Sequence, residues 1–263
     1  MEGCRMSALH VLMQRMVKLG LVLMLGASMS ACSTSWKEEV QLHDGNKIIA
    51  KRSQTRGGGH EPGNRPPVNQ ERITFTIPKS NKTLSFTSEY SEDIDKMNFD
   101  LLALHILDET PYLIVAPYLC LSYNKWGRPN PPYVIFKNEE SNWKRIPLQE
   151  LPSEFKEINL MVGGYDPYRL SVTERDASVL GAELVKKLNR ELTQPEFHSI
   201  LREPIKAGVG SGASCPELVR TGDGWKSRDW FENQPSREAC LKFCNVEKVN
   251  AEICPCNSIF KGK

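Results

Sequence analysis

The chain has 263 residues, with 34 Lys and Arg set against 32 Asp and Glu and with eight cysteines. That length supports one large core or two small ones, and a chain that is 40% hydrophobic is not a disordered one. Arg5, Arg15 and Lys18 against Glu2 account for the whole positive excess, so residues 32–263 are formally neutral, lack the general attraction to phosphate that nucleic-acid binders use, and are not expected to bind nucleic acid.

The first 31 residues read as an export signal. Arg15 and Lys18 precede a short apolar run, Leu19 to Ala27, which ends in Met29-Ser30-Ala31-Cys32. A basic start, an apolar middle and small residues before the cut are the marks of a secretory signal. The run falls short of the roughly 20 apolar residues that span a bilayer. A cysteine directly after the small residues resembles a bacterial lipoprotein signal, with Met29 in place of the usual Leu. That resemblance implies cleavage before Cys32, acylation of Cys32, and a membrane attachment through acyl chains rather than through net charge.

From Cys32 onward the pattern is mostly β. Trp36 to Leu42 and Lys47 to Ser53 flank His43-Asp44-Gly45-Asn46, and Asp-Gly suits a tight hairpin turn. Arg56 to Pro67 is a loop dense in glycine and proline. Ile73, Phe75 and Ile77, then Leu84 and Phe86, alternate with polar residues across Pro78 to Lys82, which predicts a second hairpin with one buried face. Leu101 to Leu107, Tyr112 to Ala116, Tyr133 to Phe136 and Trp143 to Ile146 add further strands. The expectation is an α+β fold, mainly an antiparallel β meander of about eight strands in a sandwich or partly open barrel.

The period then changes. Leu180, Leu184, Leu188 and Leu192, flanked by Ala177, Gly181 and Val185, predict one amphipathic helix packed on the sheet. Ser171 to Glu174 has the spacing of a capping box at its start, and Thr193 to Glu196 repeats that signal for a short helix through Leu201. The domain organisation expected is a signal over 1–31, a β-rich domain over 32–205, a glycine-rich linker over 206–214 and a cysteine-rich tail over 215–263, stapled by disulfides.

Six cysteines besides Cys32 follow the signal: Cys120, Cys215, Cys240, Cys244, Cys254 and Cys256. An even set in an exported chain reads as disulfides. Cys240 and Cys244 share a helix face, where Cβ atoms stand roughly 5–6 Å apart, too far for a bond between them. Their helical rise of about 6 Å matches the span of an extended Cys254-Pro255-Cys256. If the chain turns back between Asn245 and Ile253, nested bridges Cys244–Cys254 and Cys240–Cys256 follow, leaving Cys120–Cys215. A helix unbroken to Glu252 would hold Cys240 and Cys254 some 20 Å apart and demand another pairing. A four-thiolate zinc site is the competing chemistry, disfavoured by an oxidising compartment. Glu238 to Cys244 resembles the helix of a PAN/apple-type module over those seven residues.

No nucleophile motif and no HExxH pairing occurs, and the glycines around Ser211 neither follow a strand nor open a helix. His60 beside Glu61 in the glycine-rich loop, and the acidic group Glu89, Glu92, Asp93 and Asp95, read as solvated. No catalytic residue, cofactor-binding residue or metal ligand is assigned. Tyr123, Trp126, Arg128 and Tyr133 lie in a proline-rich stretch that forms either a contact loop, since such residues anchor interfaces, or a plug with Trp126 closing the end of the sheets and Arg128 covering it.

Trp36 to Val40, His43 to Gly45 with Lys47 to Ile49, Tyr123 to Tyr133, and Leu201 to Pro204 together resemble a group of uncharacterised proteobacterial lipoproteins over roughly residues 30–205. The resemblance implies a lipid-anchored place in the bacterial cell envelope and carries no activity. Ser33, rather than Asp, after Cys32 implies the outer membrane. The functional expectation is a non-enzymatic binding or interaction module for an envelope protein or glycan; the rival is an envelope hydrolase acting on cell-wall or polysaccharide material, and a purely structural anchor is a third reading.

Overall fold

Alternation of apolar and polar side chains builds the first sheet of the computed structural model, which describes residues 32–57, 66–206, 208–251 and 253–261. Residues 34–263 form one unit. Strands β1 (Cys32–Gln41), β2 (Lys47–Arg56), β3 (Val68–Thr76) and β4 (Thr83–Ser88) lie in that order in one sheet. The β1–β2 turn closes as expected: the Leu42 amide donates to the Asn46 carbonyl at 2.7 Å, and Gly45 takes φ +84°, a conformation that costs glycine little. β3 and β4 pair antiparallel, with Ile73 opposite Phe86 and Phe75 opposite Leu84.

After a small hairpin, β5 (Tyr90–Ser91) and β6 (Lys96–Met97), the second sheet runs β10-β9-β8-β7, formed by β7 (Phe99–Leu107), β8 (Thr110–Pro117), β9 (Val134–Glu139) and β10 (Asn142–Ile146). Inner faces of the two sheets share one core, in which Val40, Ile73, Phe75 and Phe86 meet Phe99, Leu104, Leu113 and Val115. The architecture is therefore a sandwich and not a closed barrel. The other face of the second sheet is covered too. Leu102, Ile114 and Ile135 pack there against Leu151, Phe155, Ile158 and Ile200, which explains why β7 and β8 read as unbroken apolar runs.

The leucine-rich segment departs from expectation. Ser171 does form a capping box with Glu174, but it caps only the single turn α2 (Val172–Arg175). The longer helix, α3 (Ala182–Arg190), starts afresh after Gly181. Leu180 is not helical, because its amide donates to the Lys37 carbonyl at 2.9 Å and its carbonyl accepts from Glu39 at 2.8 Å. Those bonds cover the open edge of β1, which would otherwise present unpaired backbone groups. A 3₁₀ turn, Pro195–Phe197, stands where the short second helix was expected.

The tail holds a hairpin, β11 (Leu218–Thr221) with β12 (Gly224–Ser227), and the helices α4 (Arg228–Glu232), α5 (Arg237–Val246) and α6 (Cys256–Ile259) around the fully buried Phe231. Disulfides join Cys120–Cys215, Cys240–Cys256 and Cys244–Cys254, the nested pairing that follows from the chain turning back after α5. Cys254-Pro255-Cys256 is not extended: Pro255 is αR and caps α6. The cysteine Cα atoms still reach bonding range, 5.8 and 6.2 Å in the two pairs. Among the described residues no helix is long and apolar enough to cross a membrane.

Candidate functional site

Midway along the first sheet, inward positions carry charged and hydrogen-bonding groups instead of hydrocarbon. Trp36 and Glu38 on β1, Arg52 and Gln54 on β2, and Glu71 on β3 share the strand face whose other members form the core. Arg52 is fully buried. It donates to Glu38 at 2.9 Å, to the Met161 carbonyl at 2.8 Å and to Glu71, while Gln54 donates to Glu71 at 3.3 Å and the Trp36 indole to Glu38 at 3.0 Å. Burial opposes the guanidinium charge, yet the two carboxylates outweigh it and raise the Arg52 pKa. Asp100 is pushed up to about 7, first by burial and then by the charge of Glu71, with Arg52 opposing. Every charge in this triad has a partner, and the arrangement holds strands together.

A second cluster opens to solvent. His43, from the β1–β2 turn, and His105, from β7, stand edge to face with ring centroids 6.3 Å apart, and Phe155 stacks on His105 at 4.7 Å. They line a cleft of about 320 Å³ with Glu154, Glu157, Asn159 and Lys186. His105 Nε2 lies 3.0 Å from the Glu157 carbonyl, which assigns the proton to Nε2 and leaves Nδ1 a bare acceptor. Nδ1 of both rings is shut from solvent with no hydrogen-bond partner. Burial drives the His105 pKa down to about 4, and His43 adds to that direction. The ring is thus neutral at physiological pH. The cleft lining brings carboxylates, side-chain amides and the amines of Lys156 and Lys186 together, and no hydroxyl or thiol is among the described lining residues.

A third feature is a groove of about 570 Å³ between α1 (Leu119–Lys125) and the tail. Lys125, Arg128, Trp225 and Ile253 line it. Its walls are joined by the Cys120–Cys215 bridge and by polar contacts. Asn124 accepts from the Leu218 amide at 2.8 Å, Lys125 pairs with Asp93 at 2.9 Å, and the Trp225 indole donates to the Asp93 carbonyl at 2.6 Å.

The residues of the proline-rich stretch fall on both sides of this joint. Arg128 lies over the Tyr123 ring at 4.9 Å and donates to the carbonyls of Cys215 and Pro216, each at 3.0 Å. Trp126 packs on Phe99 at 4.6 Å and donates to Asn98 at 3.1 Å. Tyr133 is buried, its hydroxyl 3.0 Å from the Glu196 carbonyl and 3.1 Å from that of Ser199. Trp126 therefore closes the sheet end and Arg128 ties down the tail, and Arg128 alone of the four lines the groove. The glycine-rich run 206–214 is pinned where described: Ser211 donates its amide to Glu196, and a Cβ on Gly212 would come within 2.5 Å of the Tyr123 ring.

Cys32 opens β1, and His60 and residues 1–31 lie outside the described residues. The sulfurs a zinc ion would need are joined in two disulfides. The acidic group is a hairpin turn in which Asp93 is paired with Lys125. Sequence reading missed both the Arg52 triad and the His43–His105 cleft. The available signal for the first was charge at inward-facing positions of three strands; the second joins residues that only the packing of the two sheets brings together. The chain matches no family model, no curated protein and no solved structure.

Proposed function

We propose that the protein is an exported, lipid-anchored component of the bacterial envelope, tethered through Cys32 and acting as a non-enzymatic binding module. The observation that carries this reading is the set of three disulfides, including one that links residues 95 apart in sequence. Such bonds persist in oxidising compartments and are rare in the cytosol, which agrees with the signal-like first 31 residues. The groove that holds Arg128, Trp225 and Ile253 supplies the contact surface, combining an aromatic, an aliphatic and a cation as interface anchors do. An envelope protein or a glycan is its partner.

Labelling of cells with radioactive palmitate tests the anchor. Label in the envelope fraction that disappears with Cys32→Ala supports it, and an unlabelled chain with free thiols overturns it. Incubation with purified cell-wall sacculi separates the two activities. Co-sedimentation without release of soluble fragments supports binding, whereas released fragments favour the hydrolase reading.

A further inference from the structure

Resting on the Cys32 anchor proposed above, we propose that the hollow between β1 and the segment 165–178 is the face that meets the bilayer and takes the phosphates of anionic lipid headgroups. β1 begins at Cys32 itself, with no spacer. Trp36 follows four residues on, so at most about 14 Å of extended chain separates it from the acylated residue. Trp36 stands against Tyr165 with ring centroids 5.9 Å apart. The two line a hollow of about 370 Å³ together with Lys37, Lys51 and Arg175, and no carboxylate lines it. Three cations around one concavity complement the negative surface of a membrane leaflet.

In the segment between Tyr165 and Arg175, Tyr168 is the most exposed large hydrophobic side chain among the described residues, at 83%, and Val172 is 65% exposed. Their turn is firmly held. Asp166 accepts from the Tyr168 amide at 3.0 Å, and Arg169 donates to the Leu188 carbonyl at 2.5 Å. A tyrosine, with an apolar ring and a polar tip, suits the headgroup layer, where such residues concentrate. A short tether, a cationic hollow and an exposed aromatic turn therefore point to one occupant, the lipid surface.

The test uses the full-length acylated protein from envelopes, placed in vesicles of phosphatidylethanolamine and phosphatidylglycerol whose acyl chains carry bromine. Tyr168→Trp adds an indole at the proposed face; Ser80→Trp adds one in the β3–β4 turn, at the opposite end of the first sheet from Cys32, where β1 begins. The added emission of Tyr168→Trp is expected to fall about twofold relative to unbrominated vesicles, as for a ring in the interface, with that of Ser80→Trp unchanged. The charge-reversed variant Lys37→Glu/Lys51→Glu/Arg175→Glu should reduce the quenching. If Cys32 carries palmitate and Tyr168→Trp is not quenched, or both added indoles are quenched alike, the face is wrong and the anchor stands. If wild-type protein carries no palmitate at Cys32, the anchor fails and this proposal with it.

Discussion

Arg52 donates to Glu38 across a 2.9 Å gap, and neither side chain has any surface open to solvent. A charge in such a place is tolerable only while it is paired, because removing one partner leaves the other unsolvated. Arg52 also holds Glu71, so it neutralises carboxylates on both neighbouring strands.

Replacing Arg52 with leucine strands two carboxylates and is expected to lower unfolding free energy by about 3–5 kcal/mol. The triple variant Arg52→Leu/Glu38→Leu/Glu71→Leu removes all three charges and should recover most of that loss. Urea unfolding curves of the two variants and the wild type check both; a loss below about 1 kcal/mol for Arg52→Leu, the range of an exposed pair, would sink the argument.

Cys120–Cys215 closes the longest loop, 95 residues, and Cys240–Cys256 one of 16. On chain-entropy grounds the first contributes about 4.5 kcal/mol and the second about 3 kcal/mol. Cys120→Ala/Cys215→Ala should therefore unfold at lower urea than Cys240→Ala/Cys256→Ala. The reverse order would show that strain or residual structure, and not loop length, sets the effect.

Much of the sandwich could be read from the chain because its signal is local. Ile73, Phe75 and Ile77 alternate, and Leu101 to Leu107 run on because both faces of their sheet are covered. The cysteine pairing was legible in part: the helical i,i+4 pair and the chain turning back after α5 hold, whereas Cys254-Pro255-Cys256 is not the extended partner that the spacing suggested. Leu180 misled because its spacing fits the leucine stripe, while its backbone is claimed by β1. The Arg52 triad needs the register of three strands, and His43 meets His105 only when the β1–β2 turn folds over the second sheet. Neither relationship exists at any fixed sequence spacing. Trp126 and Arg128 stood out by composition, but their task depends on where Cys215 brings the tail.

Arg128→Ala removes two charge-assisted hydrogen bonds to the carbonyls of Cys215 and Pro216. Each bond of that type is worth about 1.5–3 kcal/mol, so the tail should loosen locally while the disulfide keeps it attached. Amide exchange of Leu218 to Thr221 is expected to quicken by tenfold or more, on the order of what one such bond gives, with the amides of β7 and β8 unchanged. Uniform quickening would instead mean that Arg128 supports the whole fold.

Asp100 and His105 pull the pH dependence of stability in opposite directions. The folded pKa of Asp100, about 7, lies above its ordinary value of 3.8. The folded state thus keeps a proton that the unfolded state has lost, and stability falls as pH rises through that window. His105 is the converse. Its folded pKa of about 4 lies below 6.5, so the unfolded state gains a proton first and stability falls as pH drops from 6.5 toward 4. Between those limits the two slopes offset each other, and above 6.5 only the Asp100 slope remains. Asp100→Asn should unmask the histidine, with urea midpoints that climb as pH rises toward 6.5, whereas His105→Phe should unmask the carboxyl, with midpoints that decline across the same range. Midpoints measured at several pH values for both variants decide it: parallel curves for the two would mean that neither group changes its proton affinity on folding.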